Sequence, residues 1–173
     1  PIYIMGCYPY PYGPMAEWCA SHTCDWVHMA FTTDEEHETV LRLAVARLRA
    51  ATGADFTVGR FGVPVTFVPL ASEIVKLDVP YACGATEIGY DLKTDETLSL
   101  DIYISTEQTE CIGQDSLVVH EAIHSVCPHY TEHSMSGGVF STESRDEMLL
   151  DGESLDILCR CIGGCPSRVD ERG

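Results

Sequence analysis

Apolar side chains repeat with two different periods along this chain, and each period predicts a different element. Between residues 40 and 51 they return at every third or fourth position, which places them on one face of a helix. Thr33 and Glu36 precede this stretch in a capping-box pattern, with Thr33 as the N-cap, and Gly53 follows as a typical helix end. The pattern therefore predicts a long helix between Thr33 and Gly53.

Strict alternation of apolar and polar positions over residues 98–105 predicts a half-buried strand. The apolar face of this strand consists of Leu98, Leu100, Ile102 and Ile104. Shorter apolar runs at residues 26–31 and 56–70, the second interrupted by glycine and proline, predict further short strands. Residues 73–90 are rich in turn formers and have no clear period.

A second helix is predicted just before Pro128, which ends it. Asp115 or Ser116 can cap its start. The apolar body of this helix comprises Leu117, Val118, Val119, Ala122, Ile123 and Val126. After Pro128 the chain is polar and marked by glycine, until a last short helix near residues 154–162 ends at Gly163.

This element order predicts an α+β fold in one domain. Helices are too few for a doubly wound sheet, so we expect a mixed, twisted sheet with two long helices on one side. We expect residues 1–173 to form a single domain with an N-terminal lobe of about residues 1–127, which holds the sheet and both long helices. We expect residues of about 128–173 to form a small irregular C-terminal lobe that ends in the last helix.

The second helix contains the sequence His120-Glu121-Ala122-Ile123-His124. Residues four apart share a helix face, so both imidazoles point the same way and can bind one metal ion. The carboxylate of Glu121 then lies beside the open position of that ion, where it can act as a general base. This is the HExxH arrangement of zinc hydrolases, and it predicts a zinc-dependent enzyme.

A catalytic zinc ion takes three protein ligands and keeps a fourth position for water. His129 is the preferred candidate for the third ligand, because the helix break at Pro128 lets the chain turn back under the metal. His133 is the alternative. Glu143 and Glu147 have the spacing of a glutamate ligand on a following helix, but their segment is rich in Ser, Gly and Thr and predicts no strong helix.

The run from His120 to His129, followed by Met135-Ser136-Gly137-Gly138, resembles the metzincin zinc peptidases. These have an HExxHxxGxxH motif and a later Met-turn, and the matrixin-like and snapalysin-like branches are the most similar to this chain. The order of elements is similar as well, although the specific motifs cover only residues 117–138. Cys127 stands at the position of the family's glycine, and the third histidine comes one residue early.

The resemblance implies a metzincin-like catalytic domain in which His120, His124 and His129 bind zinc. It implies that Glu121 activates the water at the metal and passes the proton to the leaving amine, and that Met135 forms an apolar floor under the site. The alternating strand at residues 98–105 would be the edge strand over the cleft, to which an extended peptide substrate could pair. The substrates would be proteins or peptides.

The composition of the chain disfavours several classes of binding partner. The net charge of −17 opposes binding to nucleic acid and to anionic membranes, and no run of eighteen apolar residues could span a bilayer. No basic segment followed by an apolar segment opens the chain, which is typical of a mature or trimmed form. We expect a monomer.

A calcium site near Asp91, Asp95 and Glu96 is a weaker hypothesis, because their spacing matches no calcium-binding loop.

Nine cysteines without a clear four-cysteine zinc spacing favour disulfides and therefore a secreted, extracellular protein. A bond from Cys127 to the cluster of Cys159, Cys161 and Cys165 would tie the two lobes together. The odd count leaves one thiol, and a thiolate such as that of Cys7 could hold the zinc in a latent enzyme.

The sequence thus predicts a secreted zinc endopeptidase. Two alternatives are a disulfide-stapled binding module with an inactive HExxH and a zinc hydrolase that does not act on peptides.

Overall fold

A computed structural model describes residues 4–6, 27–60, 62–71, 83–94, 97–107, 113–127 and 152–165. Within these ranges the chain forms two strands, a helix, four consecutive strands and two further helices. In chain order they are β1 (Ile4–Gly6), β2 (Val27–Thr32), α1 (Glu38–Thr52), β3 (Asp55–Val58), β4 (Val63–Val68), β5 (Gly84–Tyr90), β6 (Thr97–Ser105), α2 (Gln114–Val126) and α3 (Gly152–Cys161).

The strands form one mixed sheet. Its hydrogen-bonded path runs β1-β2-β4-β6-β5, and β3 also pairs with β2. The pairs β2–β3, β2–β4 and β4–β6 are parallel, whereas β1–β2 and β5–β6 are antiparallel. Residues paired across neighbouring strands point to the same face of a sheet. The pair Met29–Phe56 and the pair Val65–Ile102 are buried, so this face is apolar on several strands.

Both long helices pack on the sheet and on each other. Helix α1 contacts β2 and β3, helix α2 contacts β5 and β6, and the two helices contact each other. Helix α1 buries Leu41, Ala44, Val45 and Leu48, which follow the spacing of three and four that predicted it. The mixed sheet, the α+β class and the early long helix of the sequence analysis are confirmed at this level.

The ends of α1 differ in how well the sequence predicted them. Gly53 ends the helix as predicted, with a left-handed φ of 71° and its N–H donated to the carbonyl of Arg49 at 2.8 Å. The capping box is wrong: the helix starts at Glu38, with His37 at the N-cap position. Asp34 accepts the N–H of His37 at 2.9 Å, so an Asp-centred turn takes the role predicted for Thr33.

Strand β6 has the predicted range and apolar face, but its place in the sheet differs from the prediction. Leu100, Ile102 and Ile104 are buried, while Leu98 at the strand start is 63 % exposed. Strand β6 pairs with β4 on one side and β5 on the other. It is therefore an interior strand, and the prediction of an edge strand at residues 98–105 is wrong. Strand β5, from a segment without a clear period, stands at that end of the sheet path.

Two disulfides stabilise the end of the described chain. Cys127, directly after α2, bonds to Cys161 at the end of α3, and Cys159 bonds to Cys165. The predicted bond from Cys127 to the C-terminal cluster is thus present. Cys83 is also disulfide-bonded. Of the helices in the described ranges, none has the length and apolar character needed to cross a membrane.

Candidate metal centre

Helix α2 lies at the centre of the fold. All but one of its residues from Leu117 to Val126 are buried, because the helix packs against α1, the sheet and α3. Such a helix holds its side chains in fixed directions, since neither its backbone nor its apolar neighbours can move independently. The side chains of polar residues on α2 are therefore held in fixed directions relative to the sheet and to α1. The polar residues at issue are His120, Glu121 and His124.

The two imidazoles converge. The Nε2 atoms of His120 and His124 are 3.0 Å apart, and the ring planes are inclined by 70°. Helical spacing brings the residues together, as predicted, but it does not by itself direct both Nε2 atoms to one point. His120 is only 7 % exposed, which limits the alternative directions of its ring.

The distance between the two nitrogens suits a shared zinc ion. A tetrahedral zinc ion with bonds of 2.0–2.1 Å holds two imidazole nitrogens roughly 3.3 Å apart. The observed separation of 3.0 Å is close to this value. The same contact would also suit an N–H···N hydrogen bond in which one ring donates to the other. The donor chemistry thus fits zinc, and direct measurement of metal binding separates the two interpretations.

Glu121 brings a carboxylate beside His120. Its Oε1 atom is 4.0 Å from Nε2 of His120, which is adjacent but too far for a hydrogen bond. The residue is 5 % exposed in a largely apolar helix. Burying a carboxylate lowers stability unless polar groups satisfy it. This is a cost that an alanine or leucine would avoid, and such costs are typical of functional sites.

Strand β5 supplies the surroundings of the Glu121 carboxylate. The hydroxyl of Thr86 lies 2.7 Å from Oε2 and 3.0 Å from the backbone carbonyl of Glu121. Gly84, two residues earlier on the same strand face, lies so close that a Cβ atom there would be 2.7 Å from Oε1. The sequence analysis identified neither residue, since a Gly-Ala-Thr stretch carries no recognisable signal and reaches Glu121 only through strand pairing.

The start of α2 is fixed from α1 rather than by its own side chains. Gly113 occupies the N-cap position, so the predicted cap at Asp115 or Ser116 is wrong. Both side chains instead accept hydrogen bonds from the guanidinium of Arg47, at 3.1 Å and 2.7 Å. This contact joins the two long helices one and a half turns before His120. It helps to set the rotation of the helix that bears the site.

Other predicted site residues lie outside the described residues. They include the ligand candidates His129, His133, Glu143 and Glu147, together with Met135 and Cys7. Among the ranges that the structure describes, no group of three or more metal-binding side chains occurs. Of the calcium candidates only Asp91 is described, and its Oδ1 accepts the backbone N–H groups of Lys93 and Thr94. That contact is a local turn of the hairpin.

No protein-family model matches this sequence. A search of curated proteins likewise finds no match.

Proposed function

We propose that this chain is a secreted zinc endopeptidase of the metzincin clan, with His120, His124 and His129 as zinc ligands and Glu121 as the general base. The observation that carries the proposal is the meeting of two imidazole nitrogens on one helix turn, with a buried carboxylate beside one of them. The two Nε2 atoms are 3.0 Å apart, and the buried Glu121 carboxylate is 4.0 Å from one of them. His133 is the alternative third ligand.

The chain's own residues perform the proton transfers of the reaction. A zinc ion at the two imidazoles would act as a Lewis acid that polarises the scissile carbonyl and lowers the pKa of water to about 7. Glu121 takes a proton from the water that attacks the carbonyl carbon. It then delivers this proton to the amine nitrogen as the carbon–nitrogen bond breaks. Burial of Glu121 keeps bulk water from competing for the carboxylate.

Strand β5 is the candidate platform for a peptide substrate. It stands at one end of the sheet path and runs antiparallel to β6, and Gly84 and Thr86 place it directly against Glu121. An extended peptide that paired with β5 through main-chain hydrogen bonds would pass beside the carboxylate. This assignment replaces the interior strand β6 in the role that the sequence analysis gave to residues 98–105.

The disulfides support secretion, and the net charge of the chain bears on its partners. The bonds Cys127–Cys161 and Cys159–Cys165 are stable in an oxidising compartment, in keeping with secretion. The net charge of −17 disfavours nucleic acid as a partner. We propose a monomer that acts on proteins or peptides.

Metal removal tests the proposal. We expect purified protein to contain one zinc per chain and to cut an unfolded protein into fragments. The chelator 1,10-phenanthroline should abolish cleavage, because without the ion neither water nor carbonyl is activated, and added zinc should restore it. The isomer 1,7-phenanthroline, which does not chelate, is the control and should leave the rate unchanged.

The other outcomes point to the alternatives. Stoichiometric zinc without fragments would assign the site to a hydrolase with another class of substrate. Neither zinc nor fragments would overturn the enzyme assignment and favour a disulfide-stapled binding module.

A further inference from the structure

Thr86 contacts Glu121 twice, through one hydroxyl group. Its Oγ1 is 2.7 Å from Oε2 of the carboxylate and 3.0 Å from the carbonyl oxygen of the same residue. A hydroxyl has a single proton to donate. The shorter contact is with the carboxylate, where a hydrogen bond to a charged acceptor is the stronger of the two. Thr86 therefore restrains the rotation of the carboxylate relative to the backbone of α2.

Gly84 lies against the other oxygen of the Glu121 carboxylate, Oε1. A Cβ atom at position 84 would lie 2.7 Å from Oε1, 3.0 Å from Cγ and 3.1 Å from Cδ of Glu121. The carboxylate of Glu121 therefore occupies the space that a side chain at position 84 would need. Positions 84 and 86 share one face of β5. This face therefore lies against both oxygens of the Glu121 carboxylate.

We propose that Gly84 and Thr86 are positioning residues for the Glu121 carboxylate. Thr86 holds Oε2 by a hydrogen bond, and Gly84 leaves the room in which Oε1 stays turned toward His120. This inference rests on the proposed function, in which Glu121 is the general base. It adds that the base is oriented by β5, the strand proposed above as the platform for the peptide, rather than by its own helix.

Strand β5 can perform this role because it is itself held firmly. Its register with β6 continues from Gly84–Ile104 to Ile88–Leu100, and Ile102, the partner of Thr86, is fully buried. Helix α2 packs on both strands. The distance between β5 and Glu121 is therefore fixed by the core, and a general base needs such accuracy, since a misplacement of about 1 Å can lower a rate by about 100-fold.

The hydroxyl is tested by Thr86→Val and Thr86→Ser. Valine keeps the shape of threonine but cannot donate, so we expect kcat for peptide cleavage to fall by roughly 10- to 100-fold. KM should stay within about twofold, because substrate binding is unchanged. Serine keeps the donor and should retain most of the parental kcat. Thr106→Val removes a hydroxyl that bonds to the carbonyl of Val68 and should leave kcat unchanged.

The space at position 84 is tested by Gly84→Ala. The atom that must give way is the end of a flexible side chain, so the fold adapts and the carboxylate is displaced. We expect a loss of kcat of roughly 10- to 100-fold with an unchanged zinc content. Gly59→Ala is the matched control, since its Cβ would meet only the Cβ of Ala30 at 3.3 Å, and it should keep the parental rate.

Crystal structures of Thr86→Val and Gly84→Ala give a readout that does not depend on activity. We expect the Glu121 carboxylate to be rotated away from its parental position in both. Parental kcat in both variants, or a carboxylate that keeps its position in both, would overturn the inference while leaving a zinc peptidase in place. A parent chain that binds no zinc and cleaves nothing would instead refute the proposed function, and the two structures would still decide how Glu121 is held.

Discussion

Replacing Glu121 with glutamine should lower kcat for peptide cleavage by about 100- to 10,000-fold, the usual contribution of a general base. Glutamine has the same shape and can still accept the hydrogen bond of Thr86, but its amide cannot take a proton from water. The imidazoles of His120 and His124 are untouched, so we expect one zinc per chain in the variant. Single-turnover rates and zinc content measured on the same preparation check both expectations.

The control for this substitution is Glu38→Gln. It removes the same charge from the exposed first turn of α1, where Glu38 pairs with Arg42, four residues on. Its kcat should equal that of the parent. A Glu121→Gln variant that cleaves as fast as the parent would show that Glu121 is not the base.

Removing the Cys127–Cys161 disulfide should destabilise the protein more than removing Cys159–Cys165. The first bond closes a loop of 34 residues and the second a loop of 6. Loop-closure entropy in the unfolded chain then predicts losses of about 4 kcal/mol and about 2 kcal/mol for the two Cys→Ser double variants. Urea unfolding at equilibrium gives both free energies.

The two pairs are a matched comparison, because all four cysteines are nearly fully buried and lose similar packing. Cys127 also ends the helix that bears His124, so we expect peptide cleavage to fall only in the Cys127/Cys161 variant. Equal losses of stability in the two variants would mean that loop closure does not govern the difference.

The elements that the sequence predicted well are those in which one local signal determines the result. Helix α1 ends at Gly53 because a left-handed residue stops a helix whatever surrounds it. Helix α2 was predicted from its apolar body and from Pro128 after it, and the spacing of four residues places His120 and His124 on one face of it. Strand β6 alternates because one face meets the core and the other does not.

The errors arise where tertiary contacts decide between local options. Asp34 replaces Thr33 as the residue that opens the turn before α1, and Arg47 draws Asp115 and Ser116 away from capping α2. The alternation of β6 indicates one buried face, but it contains no information about which strands pair with its two edges.

The surroundings of Glu121 could not be predicted for the same reason. Thr86 is 35 residues away in sequence and reaches the carboxylate only when β5 pairs with β6 and α2 packs on both. Glycines at positions 84 and 89 also obscure the period of β5. The HExxH motif was therefore readable from the sequence, whereas the residues that contact Glu121 from β5 required the fold.

We propose above all that His120 and His124 bind a zinc ion beside Glu121. Anomalous diffraction at the zinc edge, from crystals of the protein purified without chelators, tests it directly. We predict a single strong peak about 2.1 Å from the Nε2 atoms of both histidines, with His129 or His133 as the third protein ligand and room for one solvent molecule. A map without a peak between these two rings, or a peak enclosed by four protein donors, would contradict the account.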